Sequence, residues 1–290
     1  MNLRCPICAG PVDGEAGFCA QGHLIGRGAG GVIRLMSPEF AARVDRFEDA
    51  LADHLSRQAR PELSSDDYAD LPARPAARGI RAWVGRAQDL EIVRRCAPPG
   101  AGLRALDLGA WNGWLCDALS RAGHSVTAVS FFGGVDDGLG ARGRYPNPAW
   151  MAIQMDEDRL ELIDETFDLV IINRSLHAAP DPVERLRAAV RLLRPGGRVI
   201  ATGLPIFRDP SRRAAEFART AAAFEARYGI PYRLVPGRDW LGPDEVAGLA
   251  GAGSAFDSYP RQRLRAWKAR LNPYSPVLRY LVVRYGGASR

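Results

Sequence analysis

Apolar and polar positions alternate with two different periods along this chain. Phe40, Val44, Phe47, Leu51 and Leu55 recur every three or four residues and mark one face of a helix running to about Arg57. Ser37 suits its cap and Pro38 its first turn. A second helix is expected over Ile80 to Cys96, ahead of the Pro98-Pro99-Gly100 break. Beyond it, short apolar runs at Leu103 to Leu108, His124 to Ser130, Ala149 to Gln154, Phe167 to Ile172 and Val199 to Gly203 read as strands. Helical stretches at Asn112 to Ala122 and Pro182 to Leu193 separate them, and two more follow at Pro210 to Tyr228 and Asp244 to Leu249. Strands over Ala255 to Tyr259 and Val277 to Arg284 close the pattern. Runs apolar on both faces, separated by helices, specify an α/β fold with a doubly wound parallel sheet. The stretch Arg60 to Gly79, rich in Pro, Ala and Asp, reads as a mobile linker or substrate-side loop, and His54 as solvent-facing.

The amino terminus follows neither period. Cys5, Cys8, Cys19 and His23 are spaced C-x2-C-x10-C-x3-H. Three thiolates and an imidazole close a tetrahedral Zn2+ site with no open position, the structural arrangement. Disulfides are the alternative, although a cytosolic enzyme keeps its thiols reduced. Cys96 and Cys116 fall in apolar helical surroundings as core thiols. The expected organisation is a zinc knuckle over 1–36, a helical lid and linker over 37–79 and the sheet domain over 80–290.

Candidate chemistry centres on the strand running from Ala105 through Asp107 into Gly109, Trp111 and Gly113. Asp107 ends the strand, where open α/β sheets place ligands, and the two glycines allow a sharp turn and close approach of backbone to ligand. This stretch resembles the first motif of the class I S-adenosylmethionine (SAM)-dependent methyltransferases, D/E-x-G-x-G-x-G, with Trp111 at the middle glycine. The spacing from Asp156 through Leu160 and Asp164 to Phe167-Asp168 resembles a second family motif, and Leu193-Arg194-Pro195-Gly196-Gly197 the turn before strand five. The resemblance covers about Ile80 to Arg284. It implies a seven-stranded Rossmann-like methyltransferase sheet closed by an antiparallel hairpin, and SAM as cofactor. By the same resemblance, Asp156 would accept from the adenine amino group while the N–H of Glu157 meets the ring. Ser130 stands where the family carries the acid that takes the ribose hydroxyls, and Asp136 or Asp137 is a candidate to reach back there. Asn173 to His177 would face cofactor and substrate, with Tyr145 and Arg174 as further substrate contacts and His177 as general base.

Composition narrows the class. Of 290 residues, 47% are hydrophobic, enough for a full core. No apolar run approaches ~18 residues and no signal-peptide pattern opens the chain, so no membrane span and a cytoplasmic, bacterial-type location are expected. The net charge of +6 is concentrated after Asp257, where eight bases and no acid stand, namely Arg261, Arg263, Arg265, Lys268, Arg270, Arg279, Arg284 and Arg290. Trp267, Tyr274, Tyr280 and Tyr285 interleave with them, a pattern compatible with RNA contact or with a solvated basic face. The leading expectation is a methyltransferase acting on a small-molecule, specialised-metabolite acceptor. An RNA-base methyltransferase is the alternative, as is a non-catalytic binding or scaffolding relative in which Trp111 and Ser130 have replaced cofactor contacts.

Overall fold

The computed structural model of the chain describes residues 1–13, 17–58, 61, 63–252, 254–260 and 271–286. A small antiparallel sheet of β1 (Leu3–Arg4), β2 (Pro11–Asp13) and β3 (Phe18–Cys19) opens it. The strands β4 (Gly26–Arg27) and β5 (Ile33–Leu35) follow, then the helices α1 (Pro38–Ser56), α2 (Ser65–Ala69), α3 (Ala73–Ala77) and α4 (Arg81–Cys96). Alternation begins with β6 (Arg104–Leu108), α5 (Trp114–Ser120), β7 (Ser125–Ser130), β8 (Met151–Met155), β9 (Phe167–Asn173), α6 (Pro182–Arg191) and β10 (Leu193–Ile206). It closes with α7 (Ser211–Tyr228), α8 (Pro243–Gly251), β11 (Ala255–Ser258) and β12 (Val277–Arg284).

The large sheet has the order β11-β12-β10-β9-β6-β7-β8-β5-β4. Strands β5 to β10 pair in parallel, and β12 is antiparallel to both β10 and β11. The seven strands β6 to β12 are those the sequence pattern predicts, with the antiparallel closing pair. Among the described residues the sheet nevertheless has nine strands, not seven, because β5 adds to the edge strand β8 and β4 pairs with β5. Buried Ile33 and Leu35 explain the addition, since they extend the apolar face that Ile153 and Met155 begin. Residues expected within the 1–36 unit are thus divided between the small sheet and the large one. The small sheet also docks, through a bridge between Leu3 and Ile163 and a hydrogen bond from the Asp164 N–H to the Asn2 carbonyl. Leu3, Cys5 and Cys19 share a hydrophobic cluster with Leu160 and Leu162.

The chain runs from β6 outward to β7 and β8, then returns to β9 on the other side. That reversal opens a crevice beyond the carboxyl ends of β6 and β9, the place where such sheets bind ligands. Helix α1 covers part of it, with Phe47 packed against Phe132 at 6.2 Å and Phe224 of α7 at 6.3 Å. His54, expected in solvent, lies edge-on to Phe224 at 5.3 Å within the same aromatic group.

The described part of Arg60 to Gly79 is not a loose linker. Ser64 and Asp67 form a reciprocal cap on α2, and Tyr68 and Leu71 are buried. Asp67, fully buried, pairs with Arg78 at 2.8 Å. No helix among the described residues is long and apolar enough to cross a membrane. Of the basic segment read as an RNA contact, Arg261, Arg263, Arg265, Lys268, Arg270, Arg290 and Trp267 lie outside the described residues, whereas Arg279 and Arg284 fall on β12.

Candidate functional site

A cavity of about 320 Å³ occupies the crevice, a volume in the range of small-molecule sites. Asp107, Gly109 and Trp111 enter it at or just past the end of β6, Ser130, Phe131 and Phe132 at or past the end of β7, Glu157 after β8, and Asn173, Arg174 and Ser175 at or past the end of β9. Phe47 and Leu51 of α1, Arg86 of α4 and the segment Tyr232–Val235 form the remaining walls.

Two buried carboxyl groups dominate the β6 to β8 side. Asp107 is 1% exposed; one oxygen accepts the Cys116 thiol proton at 3.4 Å and the other has no protein partner. Burial pushes its carboxyl up to about 7, the Cys116 hydrogen bond opposing and the charge of Glu157 adding to the shift. Glu157 also rises on burial, against the pull of Arg185, which donates to Oε2 at 2.9 Å. Its Oε1 accepts from the Ser130 hydroxyl at 3.3 Å and the Phe131 N–H at 3.4 Å. A carboxylate thus stands beside position 130, carried by the turn after β8. Asp136 and Asp137 do not supply it, as neither lines the cavity and Asp136 pairs with Arg144.

The turn after β6 carries three left-handed residues, Gly109 (φ 78), Trp111 (φ 50) and Gly113 (φ 78). A Cβ at Gly109 would lie 2.5 Å from the Ser175 side chain, and one at Gly113 would overlap the Trp150 ring. Gly113 does not line the cavity, so its expected contact with cofactor is replaced by close packing within the protein. Trp111 turns toward α4, stacked 5.9 Å from Trp83 and 4.4 Å from the Arg86 guanidinium. The indole forms a wall and leaves the crevice open beside it.

The β9 side rests on a buried polar network. Asp89 of α4, with no exposure, accepts from Asn173 Nδ2 at 3.2 Å, Arg174 Nε at 2.5 Å and the Tyr259 hydroxyl at 2.5 Å. Asn173 also donates to Thr202 Oγ1 at 2.7 Å, so its amide nitrogen is held by protein rather than ligand. Arg174 (φ 55) passes between Gly85 and Gly203, where any Cβ would strike its side chain.

Three further expected contacts are absent from the lining. Asp156 accepts the Asp158 N–H at 3.0 Å and does not line the cavity. Tyr145 is buried and donates to the Asn112 carbonyl at 3.0 Å. His177 sits in the turn Leu176–Ala178, off the cavity wall. Burial, with the charge of Arg233 and despite Asp239, lowers it to about 4, so the ring is neutral at pH 7 but not placed to take an acceptor's proton.

At the amino terminus the ligating atoms of Cys5, Cys8, Cys19 and His23 all lie within 4.8 Å of one another. Cys8 and Cys19 sulfurs are 3.6 Å apart, and His23 Nδ1 stands 3.3 Å from Cys19 and 3.7 Å from Cys5. Zn–S bonds of about 2.3 Å at tetrahedral angles require sulfurs roughly 3.8 Å apart. The donor set thus fits zinc. All five cysteines are free of disulfides.

Sequence reasoning missed Asp89, Arg185, Arg233 and Glu48, whose carboxylate takes the N–H groups of Gly133 and Gly134 after β7. None belongs to a motif, and Asp89, Arg185 and Glu48 each lie far in sequence from the residues they bind.

A family model described as methyltransferase domain matches residues 106–201. The chain is 30% identical over 190 residues to the ubiquinone biosynthesis O-methyltransferase of Xylella fastidiosa (strain 9a5c), covering 59% of this chain and 69% of that enzyme. It is 33% identical over 106 residues to the demethylmenaquinone methyltransferase of Clavibacter sepedonicus, covering 37% and 43%. Among solved structures, Haemonchus contortus phosphoethanolamine N-methyltransferase 2 in complex with SAM superposes with a TM-score of 0.47 at 15% identity, over 78% of this chain and 61% of that one.

Proposed function

This chain belongs to the family of SAM-dependent methyltransferases, and from that membership we propose that it transfers a methyl group to a small-molecule acceptor, one of specialised metabolism, bound in the crevice beyond β6 and β9. The observation carrying this reading is the pair of buried carboxyl groups, Asp107 and Glu157, on adjoining strand ends of one cavity. Asp107 has an unpartnered oxygen suited to the amino group of the methionine part. Glu157, oriented by Arg185 and Ser130, is suited to the ribose hydroxyls. The open path along Gly109, with Trp111 held against α4, leaves room between them.

When bound, SAM would supply a methyl group from its sulfonium: the acceptor nucleophile takes the methyl carbon in line as the carbon–sulfur bond breaks, and the sulfur leaves as the thioether of S-adenosylhomocysteine. The protein's part is to align and to exclude water. Orientation of bound reactants can supply roughly 7 to 11 kcal/mol of a barrier. Phe47, Leu51, Phe131 and Phe132 wall the cavity with apolar surface that keeps solvent from the reacting atoms. We further propose that Cys5, Cys8, Cys19 and His23 hold a structural zinc ion. The Cys5 sulfur accepts the Ile7 backbone N–H at 3.4 Å, and the Cys19 sulfur that of His23 at 3.3 Å, which favours the Cys19 thiolate. Desolvation opposes this at Cys19, yet the N–H groups of Gln21 and His23 and the neighbouring thiols bring it down to about 6.

Crystals soaked in S-adenosylhomocysteine test the reading. The ribose is expected within hydrogen-bond reach of Glu157 and the amino group within reach of Asp107. A ligand lodged elsewhere, with this crevice closed by the Trp111 ring, would overturn it.

A further inference from the structure

The cavity carries more positive charge than its cofactor side uses. Arg185 is committed to Glu157 at 2.9 Å and Asp158 at 2.6 Å. Arg174 and Arg233, on the side formed by β9 and the segment after α7, are not so committed. Arg174 gives its Nε to Asp89, while its two terminal nitrogens make no hydrogen bond to a described residue and a quarter of the side chain stays open. Arg233 has no ion pair among the described residues, and its Nε is buried without a hydrogen-bond partner. The acid that acts on it, Asp239, is held at both oxygens by Arg213, once at 3.1 Å. Its guanidinium rests instead near the rings of Phe217 and Tyr232, 5.5 and 5.9 Å away.

An isolated cation is costly to take out of water, and the cost falls when an anion arrives to pair with it. Guanidinium groups present fixed donor forks that match carboxylate and phosphate oxygens. Small Ala178 and Ala179 and apolar Leu51 and Val235 line the cavity nearby, leaving space for an apolar body attached to that anion. Burial also holds Arg233 below the usual arginine range, the response of a cation lacking its counter-charge, and the same two arginines help to keep His177 neutral.

We propose that the methyl acceptor is an anionic small molecule whose carboxylate or phosphate is bound by Arg174 and Arg233. The inference rests on the methyltransferase reading above and names the acceptor's chemical class.

The test uses the full-length protein saturated with S-adenosylhomocysteine and titrated with benzoate, phenyl phosphate and their neutral relative benzamide. At least one anion is expected to bind roughly tenfold or more tightly than benzamide, and the stronger of the two identifies the head group. Arg233→Gln should abolish most of that preference and Arg233→Lys should restore part of it, with S-adenosylhomocysteine affinity within about twofold of wild type in both. If neither anion outbinds benzamide while S-adenosylhomocysteine still binds, or if Arg233→Gln leaves the preference intact, the inference is overturned and the methyltransferase reading stands. If S-adenosylhomocysteine itself fails to bind, both are overturned.

Discussion

Ser130, at the end of β7, donates its hydroxyl proton to Oε1 of Glu157, at 3.3 Å, and thereby fixes a carboxylate carried by the turn after β8. The serine is thus a positioning residue and the glutamate the candidate ligand group. Ser130→Ala removes a hydroxyl that orients the carboxylate without touching the ligand and that accepts the Phe132 N–H at 3.2 Å, and it leaves the Arg185 and Phe131 contacts in place. The expected loss is about 0.5 to 1.5 kcal/mol, or roughly two- to tenfold in S-adenosylhomocysteine affinity. Calorimetric titration of the variant checks it, and a complete loss of binding would assign the hydroxyl a direct contact instead.

Trp111 combines a left-handed backbone with an indole stacked on Trp83 and Arg86. A non-glycine residue in that conformation costs about 1 to 2 kcal/mol, comparable to what a cation–π contact returns. Trp111→Gly is therefore expected to change stability little and to leave S-adenosylhomocysteine affinity within about threefold. A loss well beyond tenfold in calorimetry would show that the ring itself stacks on the ligand.

Asp107 gives the ligand-free protein a definite pH dependence. Its folded pKa of about 7 exceeds the ordinary carboxyl value, so the folded state binds a proton that the unfolded state releases. The stabilisation is fully present below about pH 4 and is lost as pH rises through about 7. A ligand ammonium group beside Asp107 favours the charged form, so binding should release about half a proton at pH 7. Calorimetry in buffers of different ionisation enthalpy measures that number. Binding heats independent of buffer would contradict it.

The zinc site proposed at the amino terminus should be coupled to the cavity. The small sheet packs Leu3 against Leu160 and Ile163, in the segment that follows Glu157. Purified protein is expected to carry about one zinc ion per chain. Its removal by a strong chelator should lower the melting temperature by several degrees and weaken S-adenosylhomocysteine binding. Metal analysis finding no zinc, with chelator changing neither quantity, would refute the assignment.

Much of the sheet is legible in the sequence because parallel strands buried on both faces are nearly continuous apolar runs, and β12 has the bounds expected for it. Edge additions are harder to read. Gly26–Arg27 and Ile33–Leu35 are too short to carry a period, and only the pairing of β5 with β8 and of β4 with β5 makes them strands. At the site, residues on strand ends are legible in the sequence, since a strand end fixes where its next residue emerges. Asp107, Ser130 and Asn173 all line the cavity. Choosing between the adjacent acids Asp156 and Glu157 required knowing that Arg185, on α6, draws Glu157 inward. His177 looked catalytic from its position after β9, but a single turn of helix carries its ring off the wall. Asp89 gives no signal in the sequence, as its partners Asn173, Arg174 and Tyr259 lie 84 or more positions away.

The central claim is that Glu157 and Asp107 bracket a SAM-binding crevice, and calorimetric titration of S-adenosylhomocysteine into wild-type protein and Glu157→Gln tests it most directly. Arg185 keeps Asp158 as a partner in the variant, so the fold should persist. One ligand per chain is expected for wild type, with affinity roughly tenfold or more weaker once the charged acceptor is replaced by a neutral amide. Equal affinity in the two proteins, or no binding to either at millimolar ligand, would contradict it.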